Sequence, residues 1–524
     1  MSMAMATHAA PSTSASSAHD SNDLPHVTRQ MAFPKSDIRV NIRDHSSSKI
    51  YSSGAPVAGD VTITTKRDVR FDSIQIVLIG NTKSSFQGLS FPQEITHTFL
   101  KMIMPIPETT YPVPRILETD QTYTIPFNFV IPNQLTINAC QHKRLSEQLQ
   151  DHHVLLPPSL GGWEKDDMAP HMAKVEYVIK ARVLKETEVG GKKTRIMEAT
   201  QQIQVLPASN EEPPLNITEK DTLYKMTKTK KMRKNFLSGT LGRVTVTAHQ
   251  PGAAVLTPDG SALASIPTAR INLSFDPESP VQDPPKITSI SGKVTAHTYF
   301  SSGTISTFPN LGEWNQPYLT DRRGQFFMSA PLPAMTVPEQ PKWTSRMSSP
   351  ARRDSGYGSE TSGSTQALMA KNTKNKSPVY MTSFIDVPFS LPTDKKILVP
   401  SFHSCIASRV YTLTLSVGIA AKKGSSTTVN VTVPLQIAVK GTAEAAARSG
   451  SGAGLPSFEE VAADEHLRPR VLHTLGDRDS AIAVDDGALP GYADVGGNAP
   501  QPAEIPEGDR LPGYGETGHR RRFD

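Results

Sequence analysis

The chain has 524 residues, 37% apolar and 20% charged, with 43 Pro and 34 Gly. This length is too great for one ordinary core and suits two domains with linkers; the low apolar share and high Pro indicate ordered domains diluted by disordered segments. A net charge of +5 is small for the length. It does not mark a nucleic-acid binder, and no nucleic-acid partner is expected.

Two cysteines, Cys140 and Cys405, form no C-x-x-C pair, so no zinc ribbon or thioredoxin-like motif is readable. So few cysteines favour a reducing compartment. The start, "MSMAMATHAAPSTSASSAHDSNDLP", lacks an apolar core of signal-peptide length. No stretch reaches the roughly 20 apolar residues of a membrane helix. The expectation is a cytoplasmic protein, with any membrane contact peripheral.

Residues 1–35 are rich in Ser, Ala, Thr and His and lack periodicity, which predicts a disordered head. Strand patterns follow over 36–210. "DIRVNIRD" alternates from Asp37, and "GDVTITT" follows a Gly-Ala-Pro cluster. "VRFDSIQIVLIGNTKSSF" puts Ile74, Ile76 and Leu78 on one face, with a turn predicted at Gly80-Asn81. "ITHTFLKMIMPIP" and "TYTIPFNFVIP" continue the pattern and end at Pro, which disfavours central sheet positions. "HMAKVEYVIKARVLKE" lines up Val175, Tyr177, Ile179 and Ala181, and "TRIMEATQQIQVLP" closes the region. Strands so frequent predict an all-β sandwich or barrel. The exception is "NACQHKRLSEQLQDHH", which suits one short helix.

Residues 211–236 are polar, Pro-marked and basic, and read as an interdomain linker. A second β region spans 237–440, through "GRVTVTAHQ", "ARINLSFDP", "ITSISGKVTAHTYFSS", "YMTSFIDVPFSLP", "SRVYTLTLSVGIAA" and "TTVNVTVPLQIAV". A Ser/Thr/Gly-rich stretch at about 343–378 reads as a disordered insertion. Residues 441–524 carry 15 acids against 8 Arg and no Lys, an acidic tail. Within it, "LPSFEEV" from Leu455, "LPGYADV" from Leu489 and "LPGYGET" from Leu511 repeat a Leu-Pro-small-aromatic pattern.

These residues resemble a family. "LPPSLGGWEKDDMAPHMAKVEYVIKARV" looks like the later strands of the fungal arrestin-like amino-terminal domain, and "GRVTVTAHQPGAAVL" resembles the first strand of the carboxy-terminal arrestin domain. The two β regions and the tail motifs are similar to those of alpha-arrestins, the arrestin-related trafficking adaptors. The resemblance implies two tandem arrestin-like, immunoglobulin-type β-sandwiches. It implies a cytosolic adaptor, not an enzyme, that links cytoplasmic segments of plasma-membrane transporters or receptors to a HECT-type ubiquitin ligase. Ubiquitin would then direct the cargo into endocytosis, with the adaptor transiently at the plasma membrane and endosomes. Arrestins also hold buried charges between domains as a latch, which no motif here assigns to particular residues. The alternative is a β-sandwich scaffold without ligase recruitment, in ambient-pH signalling or retromer-like sorting.

The ligase would be reached through WW domains, which bind extended Pro-containing peptides in an aromatic groove. The family's usual core is Pro-Pro-x-Tyr, and this chain has none. Pro456, Pro490 and Pro512 keep the second Pro, while Leu455, Leu489 and Leu511 stand in place of the first. Leu lacks the fixed φ of Pro, so each site is expected to bind weakly. Tyr492 and Tyr514 keep the phenol and Phe458 does not. Several weak sites on one tail gain from avidity.

Lys225, Lys228, Lys230, Lys231, Arg233 and Lys234 form a basic cluster, read as a lipid-contact surface, ubiquitin acceptors, a nuclear-localisation-like signal or a solvated linker. "ARRDSGYGSE" places Arg before Ser355 and, with Ser359, resembles a D-S-G-x-x-S phosphodegron; Ser349 precedes a Pro. Phosphorylation there would suit 14-3-3 proteins or an F-box phosphodegron reader. Cys140, His142, His152 and His153 offer zinc-type donors. Their spacing fits no familiar finger, and vicinal histidines rarely reach one ion, so neither metal nor cofactor is expected. Trp163, Trp314 and Trp343 read as packing residues. No nucleophile elbow, H-E-x-x-H, Walker loop or dinucleotide fingerprint occurs.

Overall fold

The period-two runs become paired strands, because alternate side chains of a strand point to opposite faces and one face can be buried. The computed structural model describes residues 37–87, 91–136, 139–140, 142, 147–186, 193–233, 239–279, 281–312, 314, 321–336, 340–347, 379–421, 426–441 and 470–471. They are all-β apart from one α-helix and a 3-10 turn at Glu108–Thr110. No described helix is long and apolar enough to cross a membrane.

The amino-terminal half comprises β1 (Asp37–Ile42), β2 (Ile50–Tyr51), β3 (Pro56–Thr64), β4 (Val69–Arg70), β5 (Ser73–Phe86), β6 (Gln93–Ile103), β7 (Ile116–Leu117), β8 (Thr122–Val130), α1 (Glu147–His153), β9 (Ala173–Glu186) and β10 (Lys193–Val205). One sheet has the order β1-β3-β8; the larger runs β2-β10-β9-β5-β6. Val57, Val61 and Ile63 of β3 and Ile125, Phe127 and Phe129 of β8 share a core with Ile74, Ile76 and Leu78 of β5 and Val175, Tyr177, Ile179 and Ala181 of β9. Each fully buried Val, Leu, Ile or Phe side chain among them contributes about 1.5–3 kcal/mol of apolar burial. Pro126 sits on β8, an edge strand, where a missing N–H costs no ladder bond.

The carboxy-terminal half comprises β11 (Thr227–Arg233), β12 (Thr240–Ala248), β13 (Ala254–Leu256), β14 (Thr268–Pro277), β15 (Lys286–Ser301), β16 (Arg323–Pro331), β17 (Thr344–Met347), β18 (Val379–Pro388), β19 (Phe402–His403), β20 (Ala407–Ala420), β21 (Ser426–Leu435) and β22 (Ile437–Val439). One sheet has the order β11-β12-β14-β18-β17. In the other, β16, β15 and β20 are consecutive, with β19 and β21 both pairing β20. Val244, Val246, Leu273, Phe275 and Ile385 of the first meet Leu413, Leu415, Val417, Val429 and Val431 of the second in the core. The described residues of both halves lie in one compact unit.

Four details differ from the sequence expectations. Gly80-Asn81 is not a turn: β5 runs through it with a register shift against β6. A Cβ on Gly80 would lie 2.5 Å from the Phe99 ring, so glycine here accommodates an aromatic neighbour inside a bulge. Within the expected linker 211–236, Thr227–Arg233 is strand β11, zipped to β12 by the hydroxyl pairs Thr227–Thr247 at 3.0 Å and Thr229–Thr245 at 2.8 Å. Within the expected insertion, Thr344–Met347 is β17, paired to β18. Within the tail, Arg470–Val471 forms β23, antiparallel to β6 at Ile103 and Met102.

Candidate functional site

The two halves meet along the loop that precedes β9. Asp167 shapes this loop by accepting from the Gly161 amide at 2.6 Å and the Ala169 amide at 3.1 Å. Between its neighbours, Met168 is fully buried at φ +61°. Lys396 forms an ion pair with Asp166, whose main-chain carbonyl accepts from the Ile397 amide at 3.2 Å. The hydrogen bond from Lys396 holds the Asp166 carboxyl below the usual carboxylate range.

Arg409 enters the same junction from β20 and is fully buried. Its Nη1 donates to the Asp167 carbonyl at 3.0 Å and lies 3.5 Å from the Tyr411 hydroxyl, which in turn donates to the Val399 carbonyl at 2.8 Å. Arg409 Nε and Nη2 find no acceptor among the described residues. Burial of a cation so sparsely bonded is costly.

A second cluster lies beside α1. That helix buries Leu149 and His153, four residues apart and so on one face. His152, one position away, turns elsewhere. It stacks edge-on against Phe308 and His403 at 5.3 and 5.2 Å, and its Nδ1 is 3.6 Å from Glu212 Oε1. His152, Glu212, His403 and Tyr411 line a cleft of about 420 Å³.

His153 faces inward with Nδ1 3.3 Å from Cys140 Sγ, 3.2 Å from His142 Nε2 and 3.9 Å from Cys405 Sγ. One donor atom from each of the four residues lies within 4.8 Å of every other. Cys140, His153 and Cys405 are buried at 2%, 2% and 4% exposure, and His142 is half-buried. Burial lowers the affinity of His153 for a proton, as it does for nearby His97. Around them, Ser84 Oγ donates to the Ile406 carbonyl at 3.5 Å, and the Cys405 carbonyl accepts from the Ile305 amide at 2.7 Å.

Sequence reasoning set a metal aside for Cys140, His142, His152 and His153. The fold changes that set: it drops His152 and supplies Cys405 from a loop between β19 and β20. No local spacing could reveal a donor 252 positions from His153 in the chain. Nor did any motif single out Arg409.

The other sequence candidates fall apart from this junction. Lys228, Lys230, Lys231 and Arg233 are on β11, with Lys225 just before it, and Lys230 Nζ donates to the Thr428 carbonyl at 2.7 Å. Lys234 lies outside the described residues, as do Ser349, Ser355 and Ser359 and all nine positions of the tail motifs, Leu455, Pro456, Phe458, Leu489, Pro490, Tyr492, Leu511, Pro512 and Tyr514. Trp163 donates to the Ser159 carbonyl at 2.8 Å, and Trp314 is buried beneath the Arg323 guanidinium, 4.6 Å from its ring centroid.

No protein-family model matches the chain, and no curated protein matches it.

Proposed function

We propose that this chain is an arrestin-like adaptor, linking membrane-protein cargo to a HECT-type ubiquitin ligase for ubiquitin-dependent endocytosis and sorting. Each half would be one arrestin-type β-sandwich. The observation that carries this reading is Arg409, a buried cation on β20 of one half that donates to the Asp167 carbonyl of the other. The segment that resembles arrestins, Leu156 to Val183, contains the Asp166-Asp167-Met168 loop that receives it. An adaptor of this type needs its halves locked until cargo binds, and a poorly satisfied charge at their junction supplies an arrangement that a ligand can tip. The Leu-Pro-x-Tyr motifs at Pro490/Tyr492 and Pro512/Tyr514 would recruit the ligase, with Pro456/Phe458 auxiliary. The Lys cluster on β11 would offer ubiquitin acceptors or contacts to anionic lipid. Ser349, Ser355 and Ser359 would carry regulatory phosphates read by 14-3-3 proteins or an F-box protein.

The test is a titration of the full chain with the tandem WW domains of a HECT-type ligase, beside a Tyr492→Ala/Tyr514→Ala double variant. Affinity at least tenfold weaker in the variant is expected. No binding by the unaltered chain at high micromolar WW concentration overturns the ligase link. Co-purification with endosomal sorting subunits would then favour the scaffold alternative.

A further inference from the structure

We propose that Cys140, His142, His153 and Cys405 bind one Zn2+ ion, and that the ion fastens the amino-terminal half of the chain to the carboxy-terminal half. This inference stands on the cluster's geometry alone and does not depend on the adaptor reading.

Three observations carry it. The donor set is two thiols and two imidazoles, the chemistry that Zn2+ prefers over harder cations. The three spacings around His153 Nδ1 are near those of a tetrahedron. With Zn–N of about 2.0 Å and Zn–S of about 2.3 Å, the ligand atoms of such a site stand about 3.3–3.8 Å apart. Around His153 Nδ1 they stand 3.3, 3.2 and 3.9 Å away, and no pair in the set exceeds 4.8 Å.

The third observation concerns burial. Four lone-pair donors converging where three of the four residues are buried is an arrangement that a central cation stabilises and water cannot easily reach. Two of the four positions are also held firmly. His153 is fixed by the helical face it shares with buried Leu149, and Cys405 by the backbone bond from Ile305.

Placement gives the site its consequence. Cys140, His142 and His153 follow β8 in the amino-terminal half, while Cys405 belongs to the β19–β20 loop of the other half. Structural zinc sites contribute directly to folding because the liganded geometry exists only in the native state. Here that contribution falls on the junction rather than within one sheet pair.

The experiment uses the full chain, purified without chelator. Elemental analysis is expected to find one zinc per chain. Cys140→Ser and Cys405→Ser are expected to lose it, and His152→Ala to keep it. Because a cysteine variant could simply misfold, the unaltered chain is also reconstituted with Co2+. The sequence has only two cysteines, so thiolate-to-cobalt charge transfer, with the visible bands of a tetrahedral ion, can arise only from Cys140 and Cys405. That spectrum supports the site whatever the variants do. A folded chain with no zinc above background and no such spectrum overturns it. So does zinc that survives Cys405→Ser, or a Cys140–Cys405 disulfide found in place of metal.

Discussion

Arg409 Nη1 lies 3.0 Å from the main-chain oxygen of Asp167, so this bond between the two halves uses a carbonyl rather than a carboxylate. Both Asp167 carboxylate oxygens are engaged by the amides of Gly161 and Ala169. The cation is held by a backbone dipole and by the ring of Tyr411, whose centroid is 5.7 Å away. Such a charge is inexpensive to remove if its volume is kept. Arg409→Met is expected to unfold in urea within about 1 kcal/mol of the unaltered chain, or to be more stable. Arg409→Ala leaves a cavity and an orphaned carbonyl, and is expected to lose about 3 kcal/mol. Equal losses in both variants would mean that the charge itself is stabilising.

Arg409 also acts on His297, which is buried on β15 with Nε2 3.1 Å from the Thr412 hydroxyl and Nδ1 lacking a described partner. Burial, reinforced by the Arg409 charge, lowers its pKa to about 4. The unfolded chain therefore binds one more proton at this residue between pH about 6.5 and 4, and stability falls as pH drops through that window. The loss reaches roughly 2.5 kcal/mol by pH about 4.5, because each tenfold difference in proton affinity between the folded and unfolded chain is worth about 1.4 kcal/mol. His297→Gln is expected to flatten the pH dependence of urea unfolding by that amount below pH about 6.5 and to leave it unchanged above. Parallel curves for the two chains would contradict the assignment.

Tyr177 on β9 is fully buried, lies edge-on to Phe99 at 5.4 Å and donates its hydroxyl to the Pro157 carbonyl at 2.6 Å. Tyr177→Phe keeps the ring packing and abandons a buried acceptor. A loss of about 1–3 kcal/mol is expected in urea unfolding, with the slope unchanged. A change under about 0.3 kcal/mol would show that water reaches the carbonyl.

Gly59 on β3 lies between Ile42 of β1 and Phe127 of β8. An added Cβ would run into the Asn41 carbonyl and approach the Phe127 ring to 2.7 Å and Ile42 Cα to 2.9 Å. Gly59→Ala is expected to cost about 2–3 kcal/mol, because backbone on one side and a packed ring on the other must shift. Thermal unfolding measures it, and an unchanged midpoint would show that the edge strand yields freely.

The strands are legible in the chain itself. Val175, Tyr177, Ile179 and Ala181 alternate in the chain and share one buried face of β9, and the short helix expected within 138–153 is present as α1. Period-two burial is a local property, so it is written in neighbouring residues. Gly80-Asn81 misled because a glycine bulge and a turn use the same residues, and only the Phe99 ring across the sheet distinguishes them. The basic run at Lys228–Arg233 misled because charge hides a strand that pairs through the threonines between the lysines and buries Met232 in the core. The junction, by contrast, comes from tertiary packing. Cys405 reaches His153, and Arg409 reaches Asp167, across some 250 residues of chain. Such meetings depend on how whole sheets pack, and that packing sums over many apolar contacts with no signature at the residues that finally touch.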